Sequence, residues 1–256
     1  MTLAAPGTLQ GHVPDGLIYG PVASRRFGRS LGISFSLPGA VGCRWSCPYC
    51  QLGGGSPTID QSLMAQSEHI LDGLEQALAR NPGVDVVTIA GAGEPLDHPQ
   101  AAELLRSCHA LTQKHGLPLV LLTNGDGLLD NQAIHGAAQA LERVYMKWDP
   151  GAASGSWRAM GPAEAEARFR VLGEWPGLRV QSLLFTLGGS GRGNIGLTGR
   201  DRYVQDMLRL QPQEIQLTAA DRSDPRGRAQ AVSRSCLQEW AGVLSQHLPE
   251  TVINVF

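Results

Sequence analysis

The chain has 256 residues, a net charge of −2 and a pI near 6.4, so it can bury a full core but has no global basic field. No DNA partner is therefore expected. No run of about 18 apolar residues is present, so no membrane span is expected, and the first residues lack the basic and apolar regions of a secretory signal.

A polar leader with proline and glycine occupies residues 1–17, and residues 18–256 are expected to form a single core domain ending in a short helix–strand element. Leu31–Ser36 predicts a strand that runs into a cysteine-rich loop. Leu63–Ala79 carries apolar residues at helical spacing, with Ile70, Leu71, Leu74 and Leu78 on one face. Val84–Ala90 is a continuous apolar run of strand length, as a buried parallel strand requires. Pro99–His115 predicts a helix, Leu117–Thr123 a strand, Asp130–Leu141 a helix and Arg143–Trp148 a strand. Pro162–Gly173 predicts a helix, Leu178–Leu187 a strand, Gly199–Leu210 a helix and Glu214–Thr218 a strand. Ser233–His247 and Thr251–Val255 supply the closing helix and strand. This alternation predicts a parallel sheet with right-handed crossovers. Periodicity alone does not separate a partial barrel from a flat doubly wound sheet.

The segment Cys43-Arg44-Trp45-Ser46-Cys47-Pro48-Tyr49-Cys50 places three thiols within eight residues. Three thiolates on one loop can converge on a single iron–sulfur cluster, and a four-iron cluster with only three of them keeps one iron open for a small molecule. Zinc is the competing reading, but structural zinc commonly takes two close ligand pairs and no second pair is present. A disulfide framework fits poorly, because the five cysteines are an odd count. Cys108 and Cys236 fall on or beside apolar stripes and read as core residues.

In parallel α/β sheets, ligands bind beyond the carboxyl ends of the strands. Those ends carry the cysteine loop, Gly91-Ala92-Gly93-Glu94-Pro95, Thr123-Asn124-Gly125, Lys147-Trp148-Asp149, the glycine-rich Gly188–Gly196 and Asp221-Arg222. Lys147 on a buried strand needs a partner or a cavity. The Gly188–Gly196 loop could cradle a phosphate or be a mobile loop. Arg25 and Arg26 could bind a phosphate or carboxylate bidentately, or could serve as ion pairs on a solvated face.

The C-x3-C-x2-C spacing, with aromatic Tyr49 before the last cysteine, resembles the signature of the radical S-adenosylmethionine (SAM) superfamily. Tyr19–Ile33 and Cys47–Gly53 further resemble a branch of Fe–S oxidoreductases related to wyosine-tRNA synthetases, and the likeness spans roughly residues 18 to 222. The resemblance implies an open, partial (β/α)6 barrel of parallel strands. It implies that Cys43, Cys47 and Cys50 hold one [4Fe–4S] cluster and that SAM chelates the open iron. Gly91, Ala92, Gly93 and Glu94 would hold the amino group of SAM, although Ala92 stands where the motif often has glycine. Tyr49, Asn124, Lys147 and Asp149 become further cofactor-binding candidates, and Arg25, Arg26 and Arg222 candidates for an anionic substrate. A flavodoxin- or ferredoxin-type protein would be the reductant, in a reducing cytoplasm. The radical would abstract hydrogen from an unidentified small molecule, tRNA or protein. The contrasting class is a non-catalytic Fe–S or zinc protein for electron transfer or sensing, which needs a fourth ligand from Cys108, Cys236 or a histidine.

Overall fold

A computed structural model describes residues 16–39, 42–56, 58–151, 161–188, 193–220 and 225–256. The strands are β1 (Ile18–Ser24), β2 (Gly28–Ile33), β3 (Val86–Ile89), β4 (Leu119–Thr123), β5 (Arg143–Lys147), β6 (Arg179–Leu187), β7 (Glu214–Ala219), β8 (Ala229–Ala231) and β9 (Val252–Val255). The helices are α1 (Ser67–Arg80), α2 (Ala101–Lys114), α3 (Gly127–Asp130), α4 (Gln132–Gln139), α5 (Pro162–Gly173), α6 (Leu197–Leu210) and α7 (Arg234–His247). The sheet order is β1-β2-β3-β4-β5-β6-β7-β9, with β8 pairing off this path onto β6. Every neighbour from β2 to β7 is parallel, and β9 adds a further parallel strand beside β7. Among the described residues, only the strands β1 and β8 run antiparallel to their partners.

The sheet is curled. β2 and β5 are three places apart, which would be about 14 Å in a flat sheet. Yet the ring of Phe27, at the foot of β2, lies 5.4 Å from that of Tyr145 on β5. The curl gives each strand an outer and an inner face. Outer residues such as Ile33, Val87, Leu121, Met146, Val180 and Leu217 pack under the helices in one continuous core. Inner residues Val86, Val120 and Tyr145 close on Phe27 to plug the end where the parallel strands begin. The result is an open partial barrel of mostly parallel strands, as expected.

Several boundaries differ from those the sequence predicts, each for a local reason. The first parallel strand is Gly28–Ile33, and an unanticipated edge strand, β1, precedes it. β1 is half exposed, with glycine and proline inside it, so its side chains show no clean alternation. The helix expected over Leu63–Ala79 begins at Ser67, after a 3-10 turn at Gln61–Leu63. The helix expected over Asp130–Leu141 is broken at Asn131, whose side chain accepts from the Ala133 and Ile134 N–H groups and so caps α4. β8 is likewise unanticipated, since three residues are too few to show a period. Cys108 is fully buried in the core and Cys236 is half-buried against it.

Candidate functional site

Beyond the carboxyl end of β2, the cysteine loop is pinned by the two residues that follow its first cysteine. Arg44 donates through Nε and Nη2 to Asp97 Oδ1, at 3.0 and 2.7 Å. Trp45 is buried and donates from Nε1 to Asp126 Oδ2 at 2.8 Å. Turn hydrogen bonds from Cys50 N to Cys47 O (3.1 Å) and from Gly53 N to Cys50 O (3.0 Å) bend the rest of the loop. The Cys43 sulfur receives the Trp45 N–H at 3.3 Å and faces Asn124 Nδ2 at 4.0 Å. Burial pushes the thiols of Cys43 and Cys47 upward, that of Cys47 to about 12.

The Gly91–Pro95 segment abuts this loop. A Cβ on Gly93 would stand 2.2 Å from the Gly42 carbonyl oxygen, and Gly93 has a φ of +132°, so only glycine fits. Glu94 N then donates to Gly42 O at 2.7 Å, joining the two loops. Gly91 packs against Ser34, whose hydroxyl accepts from Ala92 N at 3.2 Å. Ala92 is buried and stays out of the left-handed region, so alanine is accommodated there without strain. The Glu94 side chain is 4% exposed. Its Oε1 accepts from Thr123 Oγ1 (2.5 Å) and Leu96 N (3.1 Å), and its Oε2 from Asn124 N (2.7 Å). Burial is the dominant influence on this carboxyl and pushes it up to about 8 against those three bonds.

A second polar group lies on the cysteine loop's other flank. Tyr49 donates its hydroxyl to Asp149 Oδ2, while Asp149 Oδ1 accepts from Leu183 N at 2.7 Å and pairs with Lys147 Nζ at 3.1 Å. The Lys147 ammonium also sits over the Tyr49 ring, 4.8 Å from its centroid, and Phe185 meets that ring edge-on. Lys147 thus has the partner its strand position demands.

The structure therefore brings Cys43, Cys47, Cys50, Tyr49, Gly91, Ala92, Gly93, Glu94, Asn124, Lys147 and Asp149 to one rim. It does not bring Arg25 and Arg26 there. They form the tip of the β1–β2 hairpin, where the parallel strands begin, with the Arg26 guanidinium over Phe27. Arg222, with Asp221 and residues 189–192 of the glycine-rich loop, lies outside the described residues. Sequence reasoning missed Trp45, Asp126 and Arg168 as site residues. Arg168 Nη1 donates to Asp126 Oδ1 at 2.9 Å, and the residue is 1% exposed. A signal was available: on α5, Arg168 lies four residues before Leu172, on the helix's buried face.

The donor set fits an iron–sulfur cluster. Three partly buried thiols stand on one loop, and iron would supply the positive charge that makes thiolates the stable form. Two of the fourth-ligand candidates are engaged elsewhere. His98 Nε2 bonds Ala65 O at 2.9 Å and its Nδ1 accepts from Gln100 N at 3.0 Å, while Cys108 is enclosed in the core. Among the described residues, no three His, Cys, Asp or Glu side chains are grouped around a single ion position.

The sequence model of the radical SAM superfamily matches residues 37–144, which takes in the cysteine loop, the Gly91–Pro95 segment and Asn124. A UPF0026 protein of Helicobacter pylori is 34% identical over 110 residues, covering 43% of this chain and 35% of that protein. A UPF0026 protein of Synechocystis is 28% identical over 226 residues, covering 82% of this chain and 78% of its own. Streptococcus suis SuiB, solved bound to SAM, superposes with a TM-score of 0.58 at 12% identity over 88% of this chain and 49% of SuiB. The chain thus spans about a third of the first relative and about half of SuiB. Residues 37–144 thus match the radical SAM superfamily, and the fold is that of a radical SAM neighbour. Among the described residues, no helix is long and apolar enough to cross a membrane.

Proposed function

We propose that this protein is a radical SAM enzyme in which Cys43, Cys47 and Cys50 hold a [4Fe–4S] cluster and SAM takes the remaining iron. One observation supports the reading: the three-thiol loop is joined to the segment of a buried glutamate, Glu94, that keeps an acceptor position, while Cys108 and His98 are engaged elsewhere. When bound, the cluster and SAM supply a one-electron cleavage of the sulfonium C–S bond, giving methionine and a 5′-deoxyadenosyl radical that takes hydrogen from a substrate.

The chain's own residues bind and orient. Glu94 receives three protein hydrogen bonds, which leaves one acceptor position of the carboxylate for an ammonium group. A ligand cation there offsets the burial that pushes this carboxyl up, so ligand binding and ionisation support each other. The Trp45 N–H, and Asn124 Nδ2 as it closes in, stabilise negative charge on the Cys43 sulfur. Tyr49, Lys147 and Asp149 wall the opposite flank, where an adenosyl group would lie. Residues 18–256 act as a single core, supported by one sheet that runs from β1 to β9. A flavodoxin- or ferredoxin-type protein in a reducing cytoplasm supplies the electron, and the substrate is a small molecule, a tRNA or a protein.

Anaerobic reconstitution followed by SAM and dithionite tests the reading, with 5′-deoxyadenosine quantified by chromatography. Formation of 5′-deoxyadenosine is expected. A fully loaded cluster that neither cleaves SAM nor changes its spectrum on SAM addition would return the protein to the class of electron carriers and sensors.

A further inference from the structure

We infer that Arg168 is a positioning residue that registers the cysteine loop against the carboxyl ends of β4 and β5, the strand ends assigned to SAM above. The inference rests on that assignment for its functional meaning, but its geometry stands apart from it. Arg168 enters from α5 and turns its fork to three acceptors on two segments distant in sequence, residues 124–126 and Lys147. Nη1 donates to Asp126 Oδ1 at 2.9 Å, and Nη2 donates to the Asn124 carbonyl and, at 2.9 Å, to the Lys147 carbonyl. Asp126 passes the restraint on through its other oxygen to Trp45 of the cysteine loop. The guanidinium is also flanked by the rings of Trp45 and Trp148, at 5.0 and 5.3 Å from their centroids. Asn124 and Lys147 carry the side chains that face Cys43 and Asp149. One buried cation thus fixes where the thiols stand relative to both flanks of the site.

Stability alone does not account for this choice. A buried ion pair replaced by apolar side chains of similar volume is often neutral or stabilising. Lysine cannot replace the arrangement, because a single ammonium cannot reach three acceptors that a planar fork spans.

The test uses Arg168→Lys and Trp45→Phe in the full chain. Hydrogen–deuterium exchange on cofactor-free protein reads the restraint itself. Arg168→Lys should speed exchange in residues 43–52, 123–126 and 147–149 while α7 and β9 keep their rates. Trp45→Phe removes one bond and should loosen only residues 43–52. After reconstitution, iron content should match wild type in both. The SAM concentration that half-saturates the EPR change of the reduced cluster should rise about tenfold or more for Arg168→Lys, and about threefold to tenfold for Trp45→Phe. Wild-type exchange in residues 43–52 of Arg168→Lys would overturn the inference, as would uniformly faster exchange throughout the chain, which marks a merely stabilising pair. If Arg168→Lys does not fold, Trp45→Phe decides: wild-type exchange and an unchanged SAM titration sink the inference. A wild-type protein that takes no cluster defeats the proposed function, yet leaves the exchange result to judge the positioning role.

Discussion

The two ends of the half-barrel are built from opposite materials. Where the parallel strands begin, Phe27, Val86, Val120 and Tyr145 close the interior with apolar packing. Below them, Glu214 gathers Tyr145 Oη of β5, Gln216 Nε2 of its own strand and Asn254 Nδ2 of β9 within 3.0 Å, so its bonds are met by side chains around it. Where the strands end, the interior holds Glu94, Asp126, Asp149 and Arg168 instead, all nearly inaccessible, together with loops whose glycines touch backbone. Burying such groups costs several kcal/mol each unless every bond is met. The first end is made for cohesion, and the second gives up cohesion to hold charges and thiols in place. That asymmetry singles out the strand-end rim independently of any family.

The sharpest way to break the comparison is at the thiols. Alanine at Cys43, Cys47 or Cys50 should abolish the visible absorption of reconstituted protein, because each thiolate would serve a different iron of the proposed cluster. Alanine at Cys108 should keep it, since that thiol is enclosed in the core and pushed up to about 12 by burial. Loss of the cluster on changing Cys108 would mean a closed four-cysteine site. At the other end, Phe27→Ala should cost about 3 kcal/mol in chemical denaturation, because it removes the ring packed on Tyr145 and Val120, and leave the SAM titration alone. A weakened SAM response in that variant would show that the plug shapes the site.

Glu94→Ala comes next in size and should act on both quantities. The carboxylate is a tie between two loops as well as the proposed seat of an ammonium, and its removal strands the N–H groups of Leu96 and Asn124. Stability should fall by about 2–4 kcal/mol, and SAM affinity by roughly tenfold to a hundredfold, with iron retained. Its burial carries a pH signature. The folded carboxyl titrates near 8 against an ordinary value of 4.5, so between those values the folded state holds the extra proton. This group therefore contributes a loss of stability to the cofactor-free protein as pH rises through that window. Melting wild type and Glu94→Ala across it should show a smaller decline in the variant, and parallel curves would refute the burial argument.

Strand–helix alternation made the parallel sheet legible, because buried runs such as Val84–Ala90 and striped helices such as Ser233–His247 are dictated by burial on both faces or one. The thiol loop and Glu94 were legible because their chemistry demands those residue types. Curling was not, since Phe27 meets Tyr145 through closure across three strands and no local pattern encodes that. Nor was the role of Arg168, whose partners Asn124, Asp126 and Lys147 are brought to it only by tertiary structure. Ala92 shows the converse error: read as a departure from glycine, it is an ordinary residue, and the strict requirement falls on Gly93.

The smallest expected effect separates the two ends most cleanly. Arg25 and Arg26 invite a role in anion binding by sequence, yet they sit on the hairpin tip beside the apolar plug. The intervening strands span about 15–20 Å, roughly two Debye lengths at physiological salt. Alanine at both positions should therefore leave iron content, the SAM titration and 5′-deoxyadenosine formation within experimental error of wild type. A tRNA substrate engaged at the rim should keep its affinity too, whereas every phosphate that either arginine neutralised would, once released, flatten the salt slope by about 0.7–0.9. A flattened slope with an untouched SAM response would mean that the substrate reaches from the rim to the far end, which a small molecule cannot do. That pattern would select a macromolecular substrate, and its absence confines recognition to the end that holds the thiols.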